Sequence, residues 1–210
     1  MKQFQMSRWI IAICILGMPV SWIAGQTSLK GLHKVASNDC GDSNAQPHLE
    51  MGSNWTYPPE AIPETAVGKN DPARTVAFGD TVTFSFLGLK LDATYILSMR
   101  FLSDSPDRVQ SIYADDVVLE ERLPLQAAQI VERNYTLNKS VYADGTIQIT
   151  IKRLAGPNAI VSSLEVYSSD STPLKVAGMD TEKILSGIGL SLPSVDATGK
   201  CLDTLSLNGT

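Results

Sequence analysis

Thr81-Val-Thr-Phe-Ser-Phe-Leu-Gly-Leu-Lys-Leu-Asp-Ala-Thr-Tyr-Ile-Leu-Ser-Met-Arg-Phe101 is the stretch that decides the fold. Val82, Phe84 and Phe86 alternate with Thr81, Thr83 and Ser85, and Tyr95, Leu97, Met99 and Phe101 alternate with Ile96, Ser98 and Arg100. A period of two puts each apolar set on one face, so both runs read as half-buried strands. Gly88 to Ala93 turns the chain between them.

The rhythm continues toward the C-terminus. Ser103 to Arg108 is a polar loop with Asp104, Pro106 and Asp107 as breakers. Val109–Ala114 and Val117–Glu121 flank Asp115-Asp116, a hairpin signal. Ile130–Leu137 is a further strand. Ala143-Asp144-Gly145 leads into the alternation of Ile147, Ile149 and Ile151, and Gly156-Pro157-Asn158 turns into Ala159–Tyr167. Seven or eight short strands with turns between them predict an all-β protein, an antiparallel two-sheet sandwich of jelly-roll type. Helix is expected only around 125–131 or 180–187.

Toward the N-terminus the period fades. Residues 38–72 carry Pro47, Gly52, Pro58, Pro59, Pro63, Gly68 and Pro72, with Trp55 and Tyr57 among them. This segment reads as a long decorated loop with one short strand near Cys40. Residues 26–37 read as a linker. Ahead of them, Lys2 and Arg8, the apolar run Trp9–Met18 and the breaker Pro19 have the anatomy of a secretory signal peptide over 1–25. The apolar run is too short for a membrane span, so the mature chain is expected secreted, periplasmic or at the cell surface. At the other end, 169–210 reads as a linker or tail leading to an absent domain, which leaves 38–168 as the sandwich.

The chain has 17 Lys and Arg against 22 Asp and Glu, for a formal charge of −5. Loss of Lys2 and Arg8 with the signal peptide makes the balance more acidic. Without a cluster of basic residues, nucleic-acid and anionic-membrane partners are excluded. Cys40 and Cys201 remain after export and form a disulfide candidate, the alternative being two unrelated thiols.

Phe84-Ser-Phe-Leu-Gly-Leu, Ala93-Thr-Tyr-Ile-Leu and Phe101 resemble the strand–turn–strand of malectin-like and related galactose-binding-like domains. Asp107-Arg-Val-Gln-Ser-Ile-Tyr-Ala-Asp115 is similar to their next strand. Tyr142-Ala-Asp-Gly-Thr-Ile-Gln-Ile-Thr-Ile and Gly156-Pro-Asn-Ala-Ile-Val-Ser-Ser-Leu-Glu-Val166 are similar to their closing strands. Leu205-Ser-Leu-Asn-Gly-Thr210 resembles the opening of the first sandwich domain of some family 2 glycoside hydrolases. The resemblance implies a carbohydrate-binding accessory module whose partner is a catalytic glycoside hydrolase domain. The alternative is a structural or docking sandwich without sugar binding.

Nothing in the residues describes an active site. Glycoside hydrolysis needs two carboxylates facing one cleft, and neighbours such as Asp115-Asp116 or Glu120-Glu121 point to opposite faces of a strand. His33 and His48 lie in no nucleophile signature. Sugars are held by aromatic faces and by polar side chains on loops at one sandwich end. That logic selects Trp55 and Tyr57, Asp104 and Arg108, and Tyr113 with Asp115 as carbohydrate-binding candidates. Each has a plain structural alternative: Trp55 as an end plug, Arg108 paired with Asp104 or Asp107, Tyr113 in the core. No cofactor is expected apart from calcium, often associated with such folds, for which Asp39, Asp42 and Ser43 could supply oxygens. The sequons at Asn54, Asn134, Asn138 and Asn208 imply glycosylation only in a eukaryotic secretory pathway.

Overall fold

The computed structural model describes residues 28–40 and 46–176. The expected signal peptide, the calcium candidates Asp42 and Ser43, Cys201, the helix expected over 180–187 and the segment resembling a hydrolase domain lie outside the described residues. The elements are β1 (His33–Asp39), β2 (Leu49–Thr56), β3 (Thr75–Leu87), β4 (Tyr95–Leu102), β5 (Val109–Ala114), β6 (Val117–Pro124), β7 (Ile130–Thr136), β8 (Thr146–Ala155), β9 (Ala159–Val161), β10 (Ser163–Ser168) and β11 (Lys175–Val176).

They form two antiparallel sheets. A four-stranded sheet runs β1-β10-β4-β7, and a seven-stranded sheet runs β11-β3-β8-β5-β6, with β2 and β9 also pairing to β3. The inner rows are the ones that alternation marked. Phe84, Phe86, Ile149 and Ile151 from the larger sheet meet Leu97, Met99, Phe101 and Leu164 from the smaller, all buried in one core. Each such side chain contributes about 1.5–3 kcal/mol by leaving water.

Ala159–Tyr167 reads as one strand but divides at Ser162. β9 pairs with β3 in the larger sheet and β10 with β4 in the smaller. Ser162 makes the corner: its backbone N–H donates to Arg100 O at 2.7 Å and its hydroxyl to Ala73 O at 2.9 Å. A strand that changes sheets at a bend closes the end of a sandwich. Alternation cannot reveal this, because both halves keep the same period.

Four expectations need correction. Residues 33–37 of the expected linker belong to β1, the edge strand antiparallel to β10, where Val35 and Ala36 are buried. The decorated loop contains β2, which pairs with β3 through irregularities around Met51. β2 is exposed along nearly its whole length, and its alternation of Leu49, Met51 and Trp55 is interrupted at Gly52-Ser53. The helix expected at 125–131 is absent: Ala128 has φ 58, which a right-handed helix forbids, and β7 begins at Ile130. Finally, 169–176 is tied to the sandwich rather than being tail. Ser169 N–H donates to Thr94 O, Leu174 N–H donates to Val35 O, and β11 pairs with the end of β3.

Candidate functional site

Arg74 builds the support beneath one end of the sandwich. It follows the 3-10 turn's first residues Pro72 and Ala73, whose N-cap Asp71 accepts from Ala73 N–H. The buried guanidinium donates to four backbone carbonyls: Gly68 at 2.9 Å, Tyr57 at 3.3 Å, Ile62 at 2.8 Å and Val67 at 2.6 Å. A proline-rich segment has few partners for its carbonyls, and one planar fork of donors answers several at once. The loop is thereby rigid, and Tyr57 is placed against the sandwich end.

Above it, three segments converge: the end of β2, the 103–108 loop and the 156–158 turn. Together they surround a cavity of about 280 Å³ lined by Trp55, Tyr57, Val76, Phe78, Asp104, Arg108, Pro157, Asn158 and Ile160. Trp55 is 53% exposed and forms an open aromatic wall. Tyr57 is buried. Burial is the first cause that pushes its phenol above the usual range, with Arg108 opposing and Asp104 adding to the rise, so the hydroxyl stays neutral.

Arg108 is 2% exposed and four of its five N–H donors are committed within the protein. Nε donates to Ser103 Oγ at 3.0 Å, one terminal nitrogen donates to Asn158 O at 2.8 Å and to Asn158 Oδ1, and the other donates to Asp104 Oδ1 at 2.6 Å. It clamps the 103–108 loop to the 156–158 turn and neutralises the carboxylate beside it. Gly156 serves the same junction. Its φ is +81°, and a Cβ there would lie 2.9 Å from Arg108 Cα.

Of the six sequence candidates, Trp55, Tyr57, Asp104 and Arg108 therefore meet in one cavity. Tyr113 and Asp115 do not join them. β5 separates Arg108 from Asp115 by about 20 Å at the rise of an extended strand. Tyr113 lies under the Lys152 ammonium, 4.8 Å from its ring centre. Asp115 occupies the β5–β6 turn at φ 49, and its carboxylate accepts from Gln148 N–H at 2.8 Å. That is a turn role.

Sequence reasoning missed Asn158, Pro157, Val76, Phe78 and Ile160. The turn at 156–158 was visible, but its place beside the 103–108 loop follows from the pairing of β5 with β8. Among the described residues Asp104 is the sole carboxylate lining the cavity, and they assemble no facing carboxylate pair there. Among the described residues, no three His, Cys, Asp or Glu side chains are grouped to hold a metal ion.

No protein-family model matches the chain, and no curated protein matches it. Solved structures do. The ANX1 ectodomain from Arabidopsis thaliana is similar over 66% of this chain and 49% of its own, at 12% identity and a TM-score of 0.50. Bacteroides uniformis β-glucuronidase 2 is similar over 56% of this chain and 13% of its own, at 17% identity and a TM-score of 0.42. The family GH115 4-O-methyl-α-glucuronidase BtGH115A is similar over 64% of this chain and 17% of its own, at 18% identity and a TM-score of 0.43. The chain thus spans about half the length of the ectodomain and less than a fifth of either hydrolase. At such identities the likeness is one of fold, a two-sheet β-sandwich shared with the ANX1 ectodomain.

Proposed function

We propose that the chain is a non-catalytic, exported carbohydrate-binding module, accessory to a glycoside hydrolase, and that the end cavity holds one sugar ring against Trp55. The single observation that carries this reading is the half-exposed indole opposite Asp104 and Asn158 in a cavity of about 280 Å³. An aromatic face packs against sugar C–H groups while convergent polar atoms bind its hydroxyls. Because Asp104 neutralises Arg108 and the guanidinium donors are engaged, the cavity offers no uncommitted cation. It suits a neutral sugar rather than a uronate. Export accords with the N-terminal sequence, and no helix of the described residues is long and apolar enough to cross a membrane.

The test is glycan-array binding by the purified chain, with Trp55→Ala as the paired variant. The expected result is binding to neutral terminal sugars that weakens at least tenfold in the variant, while its melting temperature stays unchanged. A second reading, docking to a neighbouring domain, is favoured by the exposed Met51 and Trp55 along edge strand β2. Absence of binding to every glycan would select it.

A further inference from the structure

The outer face of the four-stranded sheet is built unlike an ordinary solvated face. Pairing aligns two adjacent rows across all four strands. One row is Ser37, Glu165, Ser98 and Asn134, and the other is Asp39, Ser163, Arg100 and Glu132. Side chains two apart on a strand share a face, so across β1, β10 and β4 the rows make a checkerboard of short hydroxyls and longer polar groups, and β7 adds Asn134 and Glu132. The serines leave depth where the longer chains make walls. Pro72 and Ala73 close one end, and the result is a cavity of about 370 Å³ that Lys34, Ser37, Asp39, Ser98, Arg100, Glu132, Ser163 and Glu165 also line.

Arg100 sets this trough apart. Arg74 and Arg108 each spend their donors on four hydrogen bonds inside the protein. Arg100 makes ion pairs at 3.5 Å from a terminal nitrogen to Asp71 and at 3.4 Å from Nε to Glu132, and the Nε–H, shielded from solvent, is not aligned to hydrogen-bond that carboxylate. A shielded donor left unmatched costs free energy that an incoming acceptor would recover. The surrounding carboxylates of Asp39, Asp71, Glu132 and Glu165 outnumber Arg100 and Lys34, which disfavours an anionic acceptor. Lys34 is occupied by Glu165 at 2.9 Å. A vicinal diol fits both demands, since each hydroxyl gives a lone pair to Arg100 or a serine and a proton to a carboxylate.

We propose that the outer face of the four-stranded sheet is a second binding site, separate from the end cavity, that takes a neutral oligosaccharide chain lengthwise across the strands. Four strands at their usual spacing give a track of about 14 Å, longer than one ring. Among the described residues no aromatic ring lines the trough itself, Tyr167 in the neighbouring row being tied to Glu165 through its hydroxyl at 2.6 Å, so hydrogen bonds carry recognition, centred on the planar fork of Arg100.

The experiment uses the purified chain on an array of neutral glucan, mannan and galactan oligosaccharides of increasing length. It compares wild type, Trp55→Ala, and Trp55→Ala combined with Arg100→Leu or Arg100→Lys. The expected result is that Trp55→Ala still binds longer chains, with affinity rising with length. Both Arg100 substitutions then weaken that binding tenfold or more without lowering the melting temperature. Loss of all glycan binding in Trp55→Ala alone would overturn the second site and leave the end cavity standing. Retained binding in both Arg100 variants would overturn it too, as would Arg100-dependent capture of an oligolysine peptide in place of glycans. A wild-type chain that binds no glycan removes both sites together.

Discussion

Arg108 and Trp55 sit in one cavity and predict opposite phenotypes. Trp55 is exposed and braces nothing, so its truncation is expected to cost binding alone. Arg108 is a buried charge whose removal strands Asp104, Ser103 and Asn158 without their donor. Arg108→Met is expected to lower stability by about 3 kcal/mol, measured by urea unfolding. His48 adds a pH dependence. It is buried, its ring is stacked on Phe86 at 4.4 Å, and Nδ1 donates to Ser85 O at 3.0 Å. Burial, the larger cause, lowers its pKa below 6.5 while the Ser85 carbonyl opposes. The unfolded chain therefore takes up its proton first as pH falls, so the neutral ring's contribution is whole above pH 6.5 and drains away toward the lower folded value. Melting temperature is expected to fall between pH 7 and 5 in wild type and to fall less in His48→Gln.

Among the elements, β1 and β2 are the informative pair, because both lie where periodicity was weak. β1 has only Val35, Ala36 and Asn38 well buried, and its ladder to β10 carries an irregularity between Lys34 and Ala36. Its position is nonetheless decisive, for it covers the edge of β10 and leads to Cys40, a buried thiol that burial pushes up to about 12. A chain shortened to begin at Asn38, the boundary that composition suggests, loses this strand and exposes the β10 ladder. It is expected to unfold at a lower temperature than a chain beginning at Ser28, and to aggregate on heating. Equal melting temperatures for the two would show that β1 adds no stability. β2 was illegible for a different reason: its apolar row of Leu49, Met51 and Trp55 is broken at Gly52-Ser53 and set among turn-forming residues.

At the scale of the whole molecule, one core between two sheets accounts for nearly every buried apolar side chain, and its members run from Val35 to Leu174. Residues 28–176 hold every member of that core, and a chain of those residues is therefore expected to unfold in a single cooperative thermal transition, as calorimetry would register. The strands from Val76 to Tyr167, the hairpin at Asp115-Asp116 and the two-layer class were readable in the amino-acid order, because burial on one face imposes a period of two on local sequence. Trp55, Tyr57, Asp104 and Arg108, which share the end cavity, also stood out by type, since aromatic and charged side chains in loops declare their chemistry. Which of them meet was decided by tertiary structure alone. The corner at Ser162 reaches Ala73 across 89 positions, the clamp of Arg108 reaches Asn158 across 50, and the floor of serines under Arg100 draws on strands scattered along the chain. Such meetings depend on pairing order and register, and strand periodicity, being the same for every strand, carries no record of either.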